Sequence, residues 1–347
     1  MKVSIVNVQV PFVRGGAEYL ADTLGEKLRG RGHQVDQLRI PFKWYPPEAI
    51  LDHMLACRLL EPATGDPDLV IALKFPAYLV PFANKKVWLL HQYRQFYELW
   101  DTPHRGCDDT PQTRSIREII RAADTRHLSE ARGLYTNSQI VANRLRRGNG
   151  LEPNAILYPP LRDPSLFRCG EAGDYVFYPS RLCSFKRQHV AIEAMRFVTS
   201  DFRLVLAGKA DEDSYGRALV DLVRRHGLED RVQLLGWITE EEKARLMADA
   251  FAVLYLPIDE DSYGYVTLEA FHAAKPVLTF RDSGGTDELV EHDHNGLILE
   301  PTPEALAEGL ERLWADRARA RAMGRAARET LGRKRIDWDH VLDTLLS

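Results

Sequence analysis

Between Asp261 and Pro276 the chain reads Asp-Ser-Tyr-Gly-Tyr-Val-Thr-Leu-Glu-Ala-Phe-His-Ala-Ala-Lys-Pro. Val266, Leu268, Ala270, Phe271, Ala273 and Ala274 fit a helix with a wide apolar face. Gly264 stands where that helix should begin. Its first turn, through Tyr265 and Val266, then offers unpaired N–H groups and the positive end of the macrodipole, a place for a diphosphate. Gly264 lets such a ligand approach the backbone. Two acids flank the place, Asp261 in the preceding loop and Glu269 in the second helical turn. Carboxylates repel phosphate but accept hydrogen bonds from hydroxyls. The combination suits a diphosphate with a sugar at each end.

This stretch resembles the signature of the retaining family 4 glycosyltransferases of the GT-B fold, in which an acid, seven residues and a Glu surround a Gly and an apolar helix. The resemblance implies that Glu269 holds ribose hydroxyls and that Asp261 contacts the donor sugar. The family's usual first acid is Glu, one methylene longer; Glu260 is one residue out of register. The family also has an Arg and a Lys that grip the donor diphosphate. They correspond to Arg181 and Lys186, in the loop between a strand at Tyr175–Tyr178 and a helix at Gln188–Phe197. A leaving diphosphate gains charge as the glycosidic bond breaks, so fixed cations there favour the transition state over the ground state. By the same resemblance the Gly15-Gly16 loop and His91 face the donor. The backbone at Trp237 and Ile238, after the strand from Val232, reads the base. Gly208 ends a strand beside the donor, and the loop Asp282–Glu288 lies next to it. The reaction implied is sugar transfer from a nucleotide diphosphate to an acceptor hydroxyl with retention, by front-face displacement, with no catalytic metal and no cofactor.

The elements that must hold these residues alternate. Val3–Val8 reads as the first strand of a parallel sheet, and Gly15-Gly16 opens a helix through Leu20, Leu24 and Leu28. Strands follow near Val35–Ile40, Leu69–Leu73 and Val87–Leu90, with helices near Glu48–Leu60 and Arg114–Arg132. Ligands of open α/β sheets bind beyond the carboxyl ends of strands, which is where His91, Arg181, Lys186 and Gly208 fall. Asp66-Pro67-Asp68 matches a metal motif of the other large glycosyltransferase fold, but a Pro-Asp turn before a buried strand explains it. The aromatic run from His91 to Trp100 suits an acceptor wall, a membrane-facing surface, a lid or a core helix. Leu157-Tyr-Pro-Pro-Leu-Arg-Asp-Pro164 reads as a stiff linker. The expected architecture is α/β: two Rossmann-like domains facing each other across a cleft. Residues 1–160, completed by a C-terminal helix at 333–347, form the acceptor-side domain; residues 161–332 form the nucleotide-sugar domain.

At 347 residues, two domains are the natural expectation. Residues 1–160 carry 21 Lys and Arg against 17 Asp and Glu, a net of +4, and the remainder a net of −8. A basic first half suits an anionic acceptor or a membrane surface; nucleic acid is not indicated. The four cysteines have neither metal-ligand nor disulfide-framework spacing. With an immediate first strand and no spanning apolar run, the expectation is a cytoplasmic protein, with peripheral contact at the inner membrane face left open. Partners expected are a nucleotide sugar and a carbohydrate or lipid-linked acceptor. Two other readings stand beside transfer: a non-catalytic nucleotide-sugar-binding protein, favoured by Asp in place of Glu at 261, and a hydrolase or epimerase of nucleotide sugars.

Overall fold

The computed structural model describes residues 1–12, 15–60, 66–259, 264–286 and 288–347. Asp261 lies outside the described residues. The chain divides into two units, Met1–Pro159 with Trp338–Ser347, and Pro160–Asp337. The return to the first unit comes at Trp338; residues 333–337, read from sequence as part of the last helix, stay with the second.

The first unit runs β1 (Lys2–Gln9), α1 (Gly16–Gly30), β2 (Gln34–Pro41), α2 (Ala49–Leu59), β3 (Leu69–Ala72), β4 (Lys85–Leu89), α3 (Pro111–Leu128), β5 (Gly133–Thr136), α4 (Gln139–Asn149) and β6 (Ala155–Ile156). All pairings are parallel, in the order β2-β1-β3-β4-β5-β6. Both faces of the central strands are buried, which is why β3 reads as an unbroken apolar run rather than an alternating one; β4 is buried throughout but opens on Lys85 and Lys86. One face packs Leu24, Trp88 and Leu157 against Val341, Leu342 and Leu345. The opposite core takes Phe96, Tyr97 and Trp100 with Ile116 and Ile120 of α3. The aromatic run after His91 is therefore core, not a membrane-facing surface.

The second unit runs β7 (Tyr175–Pro179), α5 (Gln188–Ala194), β8 (Arg203–Ala207), α6 (Asp213–Arg225), β9 (Val232–Leu234), α7 (Glu240–Asp249), β10 (Ala252–Leu254), α8 (Tyr265–His272), β11 (Val277–Phe280), β12 (Gly296–Leu299), α9 (Pro303–Ala315) and α10 (Arg317–Arg333). Its parallel sheet has the order β12-β11-β10-β7-β8-β9. Counted within the unit this is the doubly wound order, which reverses between β7 and β10; such reversal points open the crevice where α/β sheets bind ligands. The last helix, α11 (Trp338–Leu346), adds to the first unit. Trp338 stands edge-on to Trp88 with ring centroids 6.3 Å apart. Arg31, which caps the end of α1, reaches Asp339 at 2.6 Å and Asp343 at 2.5 Å. No helix among the described residues is long and apolar enough to cross a membrane.

Candidate active site

The loops after β7, β10 and β11 are tied to one another at the reversal point of the second sheet. Tyr178, near the end of β7, donates its hydroxyl to the Lys186 carbonyl and accepts from the Leu256 N–H at 3.1 Å. Arg187 takes a left-handed backbone, φ 53°. Its guanidinium donates to the Leu256 carbonyl at 2.7 Å and to the Pro257 carbonyl, and grips both Asp282 oxygens at 2.8 Å. It also lies 4.8 Å from the Phe280 ring centroid. Arg187 is thus a buried clamp. No local pattern signals that role, because its partners lie 69 to 95 residues away.

That clamp fixes Lys186, which is 5% exposed. Its ammonium donates to the Tyr255 hydroxyl at 3.0 Å and sits 5.1 Å from that ring's centroid. Tyr255 in turn borders Gly264, the N-cap of α8. A Cβ on Gly264 would stand 3.1 Å from both the Tyr255 ring and Thr267 Oγ1, and 3.3 Å from Thr286 Oγ1. Both threonine hydroxyls are buried without a hydrogen-bond partner among the described residues. A buried hydroxyl left unpaired is costly, so two of them beside a helix N-terminus and an ammonium form a group of donors that suits a ligand rich in acceptors. Tyr265 and Val266, in the first turn of α8, carry the N–H groups of that N-terminus.

Glu269 is 7% exposed, and its Oε1 accepts from Lys243 of α7 at 2.7 Å. Burial pushes this carboxyl above the usual range, against the pull of Lys243. Burial of Lys243 is outweighed by Glu269 and Glu240, the latter at 2.8 Å, so its ammonium holds its proton more firmly than usual. Glu269 Oε2 is buried and has no partner among the described residues. One carboxylate oxygen is thus fixed by the fold and the other is left to accept.

The other candidates differ in setting. Arg181 has a side chain 62% exposed and paired with Asp211 at 2.5 Å. Gly208 has φ 155°, which side chains rarely adopt, and a Cβ there would overlap the Ser180 carbonyl oxygen. Its N–H donates to the Gly236 carbonyl at 2.7 Å, so this glycine joins the loops after β7, β8 and β9. Just beyond, Trp237 is 71% exposed and Ile238 half-buried.

In the first unit, Gly15 caps α1, but its N–H donates to Glu18 Oε2 at 2.8 Å. Burial raises the Glu18 carboxyl; Lys74 at 2.7 Å and the Gly15 N–H outweigh it and hold the pKa below the ordinary value. Gly15 and Gly16 thus open a helix whose N-terminus already carries the chain's own carboxylate. His91 follows β4. Its Nδ1 lies 2.7 Å from the Gln92 carbonyl, which only accepts, so Nδ1 carries the proton. Burial lowers its pKa to about 4, which leaves a neutral ring with Nε2 as acceptor. Of the Asp-Pro-Asp motif, Asp68 Oδ2 accepts from the Lys2 N–H at 2.7 Å, a structural use at the start of the sheet.

Residues 169–330 match the family model described as glycosyl transferases group 1. The chain is 31% identical over 209 residues to an exopolysaccharide phosphotransferase of Streptomyces coelicolor, covering 56% of this chain and 21% of that protein. It is 31% identical over 173 residues to a GDP-mannose-dependent alpha-(1-6)-phosphatidylinositol monomannoside mannosyltransferase of Mycobacterium tuberculosis, covering 47% of this chain and 44% of that one. The chain spans less than half the length of both relatives. Sucrose-phosphate synthase from Thermosynechococcus elongatus superposes with a TM-score of 0.76 at 19% identity, over 99% of this chain and 97% of that chain. That likeness shows the fold, GT-B.

Proposed function

From the premise that the second unit carries a group 1 glycosyltransferase domain, we propose that this chain transfers a sugar from a nucleotide diphosphate to an acceptor hydroxyl, with retention and without a catalytic metal. The observation that carries the reading is the convergence of Lys186, Tyr255 and the unpaired Thr267 and Thr286 hydroxyls on the Gly264 N-terminus of α8. An ammonium and a helix N-terminus on one side of a diphosphate stabilise the charge that grows there as the glycosidic bond breaks. Glu269 Oε2 accepts from ribose hydroxyls, and Arg181 exchanges Asp211 for a phosphate oxygen. His91, neutral and with Nε2 as acceptor, takes a hydrogen bond from a hydroxyl of the transferred sugar. Asp261 contacts the same sugar, and backbone groups at Trp237 and Ile238 read the base. The acceptor is a carbohydrate or lipid-linked hydroxyl.

The relative named for GDP-mannose makes that donor the first to test. The assay is initial-rate release of nucleoside diphosphate from a donor panel, with and without candidate acceptors, with and without EDTA. The product's anomeric configuration is read by NMR. Acceptor-dependent release that survives EDTA, with the donor's configuration kept, is the expected result. Release that ignores acceptor is the result of a nucleotide-sugar hydrolase or epimerase. Binding without release under any acceptor is that of a non-catalytic protein. Either outcome, or an inverted product, refutes the reading.

A further inference from the structure

The opposite end of the second sheet holds a hollow of about 540 Å³ at the amino ends of β7, β10 and β11. Its lining includes Cys169, Phe251, Lys275, Arg317, Arg321 and Arg325. Lys275 is 3% exposed, and the one hydrogen bond of its ammonium among the described residues is a long one, 3.4 Å to the Gly170 carbonyl. An ammonium has three donors, and a buried charge is costly unless paired and hydrogen-bonded. Burial lowers the Lys275 pKa; Cys169 and Asp249 act against that.

The three arginines stand one helical turn apart on α10, so they share a side of it. Arg317 is held by the Ala172 and Gly173 carbonyls, both at 2.7 Å. It is stacked 4.5 Å from the Trp314 ring centroid and 5.1 Å from that of Phe251. Neither it nor Arg321 nor Arg325 has a carboxylate within ion-pair distance among the described residues. The contrast lies on the same helix. Arg319, facing elsewhere, pairs with Asp293 at 3.2 Å, and Arg333 with Glu291 at 2.6 Å. Of the lining residues only Glu171 is acidic; Asp174 acts on Arg317 and Asp249 on Lys275 from beyond the lining. This concentration of cations belongs to the half of the chain whose net charge is −8, so it does not reflect a generally basic surface. The wall is fixed, because a Cβ on Gly324 would overlap the Ala274 carbonyl oxygen and α10 lies flush on the turn before β11.

We propose that this hollow is a second anion site, separate from the donor site, which takes a phosphorylated organic ligand. Guanidinium forks match phosphate oxygens. Phe251, Pro276 and Ala320 give the organic part an apolar floor, and the volume falls in the range of small-molecule sites. A soluble phosphomonoester and an anionic lipid headgroup share that chemistry.

The test uses the full chain with the donor site filled by saturating nucleoside diphosphate. Inorganic pyrophosphate and glycerol 3-phosphate are titrated by calorimetry, and vesicles of phosphatidylcholine with and without phosphatidylglycerol are sedimented with the protein. The variants are Arg321→Ala/Arg325→Ala, whose side chains are exposed, and Lys275→Met for the buried cation. The expected result is binding of pyrophosphate or glycerol 3-phosphate that the double variant weakens about tenfold or more, with melting temperature and nucleoside diphosphate affinity unchanged. Added binding to phosphatidylglycerol vesicles, lost in the same variant, assigns the lipid source; its absence assigns the soluble one. No binding of any probe, or equal binding by parent and double variant, overturns the proposal. So does loss of nucleoside diphosphate affinity in the double variant, since the two ends of the sheet would then not be separate sites. A parent chain that binds no nucleoside diphosphate refutes the donor reading alone.

Discussion

Replacing Glu269 by Gln removes one charge and almost no volume. Two effects follow, and their sizes separate them. The amide still accepts from Lys243, and Lys243 keeps Glu240 at 2.8 Å, so its ammonium is not stranded. Breaking a fully buried pair costs about 3–5 kcal/mol; here the retained and exposed Glu240 holds the loss below about 3 kcal/mol. The second unit should therefore melt lower by less than about 12 °C and stay folded at 25 °C. At the ligand the change is different in kind. Oε2 is the unpartnered oxygen, and a hydrogen bond to a charged acceptor contributes about 1.5–3 kcal/mol, or roughly 10- to 150-fold in affinity. Calorimetric titration with nucleoside diphosphate measures the second effect and thermal melting the first. The matching 2′,3′-dideoxy compound is the control, since it lacks the hydroxyls and should bind parent and variant equally. Unchanged affinity for the ribonucleotide, or equal losses for both nucleotides, would show that Glu269 does not hold the ribose.

Lys186→Ala should lower turnover at saturating donor by on the order of 100-fold or more while weakening donor binding less; full turnover with weakened binding would reduce Lys186 to an anchor. Arg181→Lys should rescue poorly, since an ammonium cannot grip two phosphate oxygens as a guanidinium does, and initial rates beside the Ala variant decide it. Burial holds the Asp124 carboxyl at about 7 in the folded chain, against about 3.9 unfolded. Between those values the folded state keeps the extra proton, so this group's contribution to stability falls as pH rises through that window. Asp124→Asn keeps the Tyr97 hydrogen bond, 2.8 Å in the parent. It should be nearly neutral at pH 4 and more stable than the parent by up to about 4 kcal/mol above pH 7; parallel denaturation profiles across pH would refute it. Ending the chain at Asp337 strips Val341, Leu342 and Leu345 from the first core, each contributing about 1.5–3 kcal/mol. Calorimetry should then show the first unit's transition lost and the second's kept; two intact transitions would contradict this.

The alternation of elements was readable because both sheets are parallel and doubly covered, so strands and helices each carry a local pattern. The N-cap role of Gly264 was equally local, resting on a glycine just before an apolar period. The parts that failed to show are tertiary. Lys243 meets Glu269 across 26 residues and Arg187 meets Asp282 across 95; no periodicity encodes such pairs. The run from His91 to Trp100 left four readings open because aromatic and basic residues suit a surface and a core alike. Only packing against α3 decides for the core. Nothing local in α10 tells its arginines apart, and only tertiary partners divide those ion-paired with a carboxylate, Arg319 and Arg333, from those that are not, among the described residues, Arg317, Arg321 and Arg325.

The last helix has a consequence in time. The chain is made from its amino end, yet the first unit is incomplete without residues 338–347. At about 5–20 residues per second, the whole of Pro160–Asp337 is synthesised in on the order of ten seconds or more, and through that interval Trp88 and Leu24 lack the cover that α11 gives them. The unit translated second can close first. A nascent chain of this protein therefore carries an open apolar seam while it is still on the ribosome, and that seam is where a chaperone would find it.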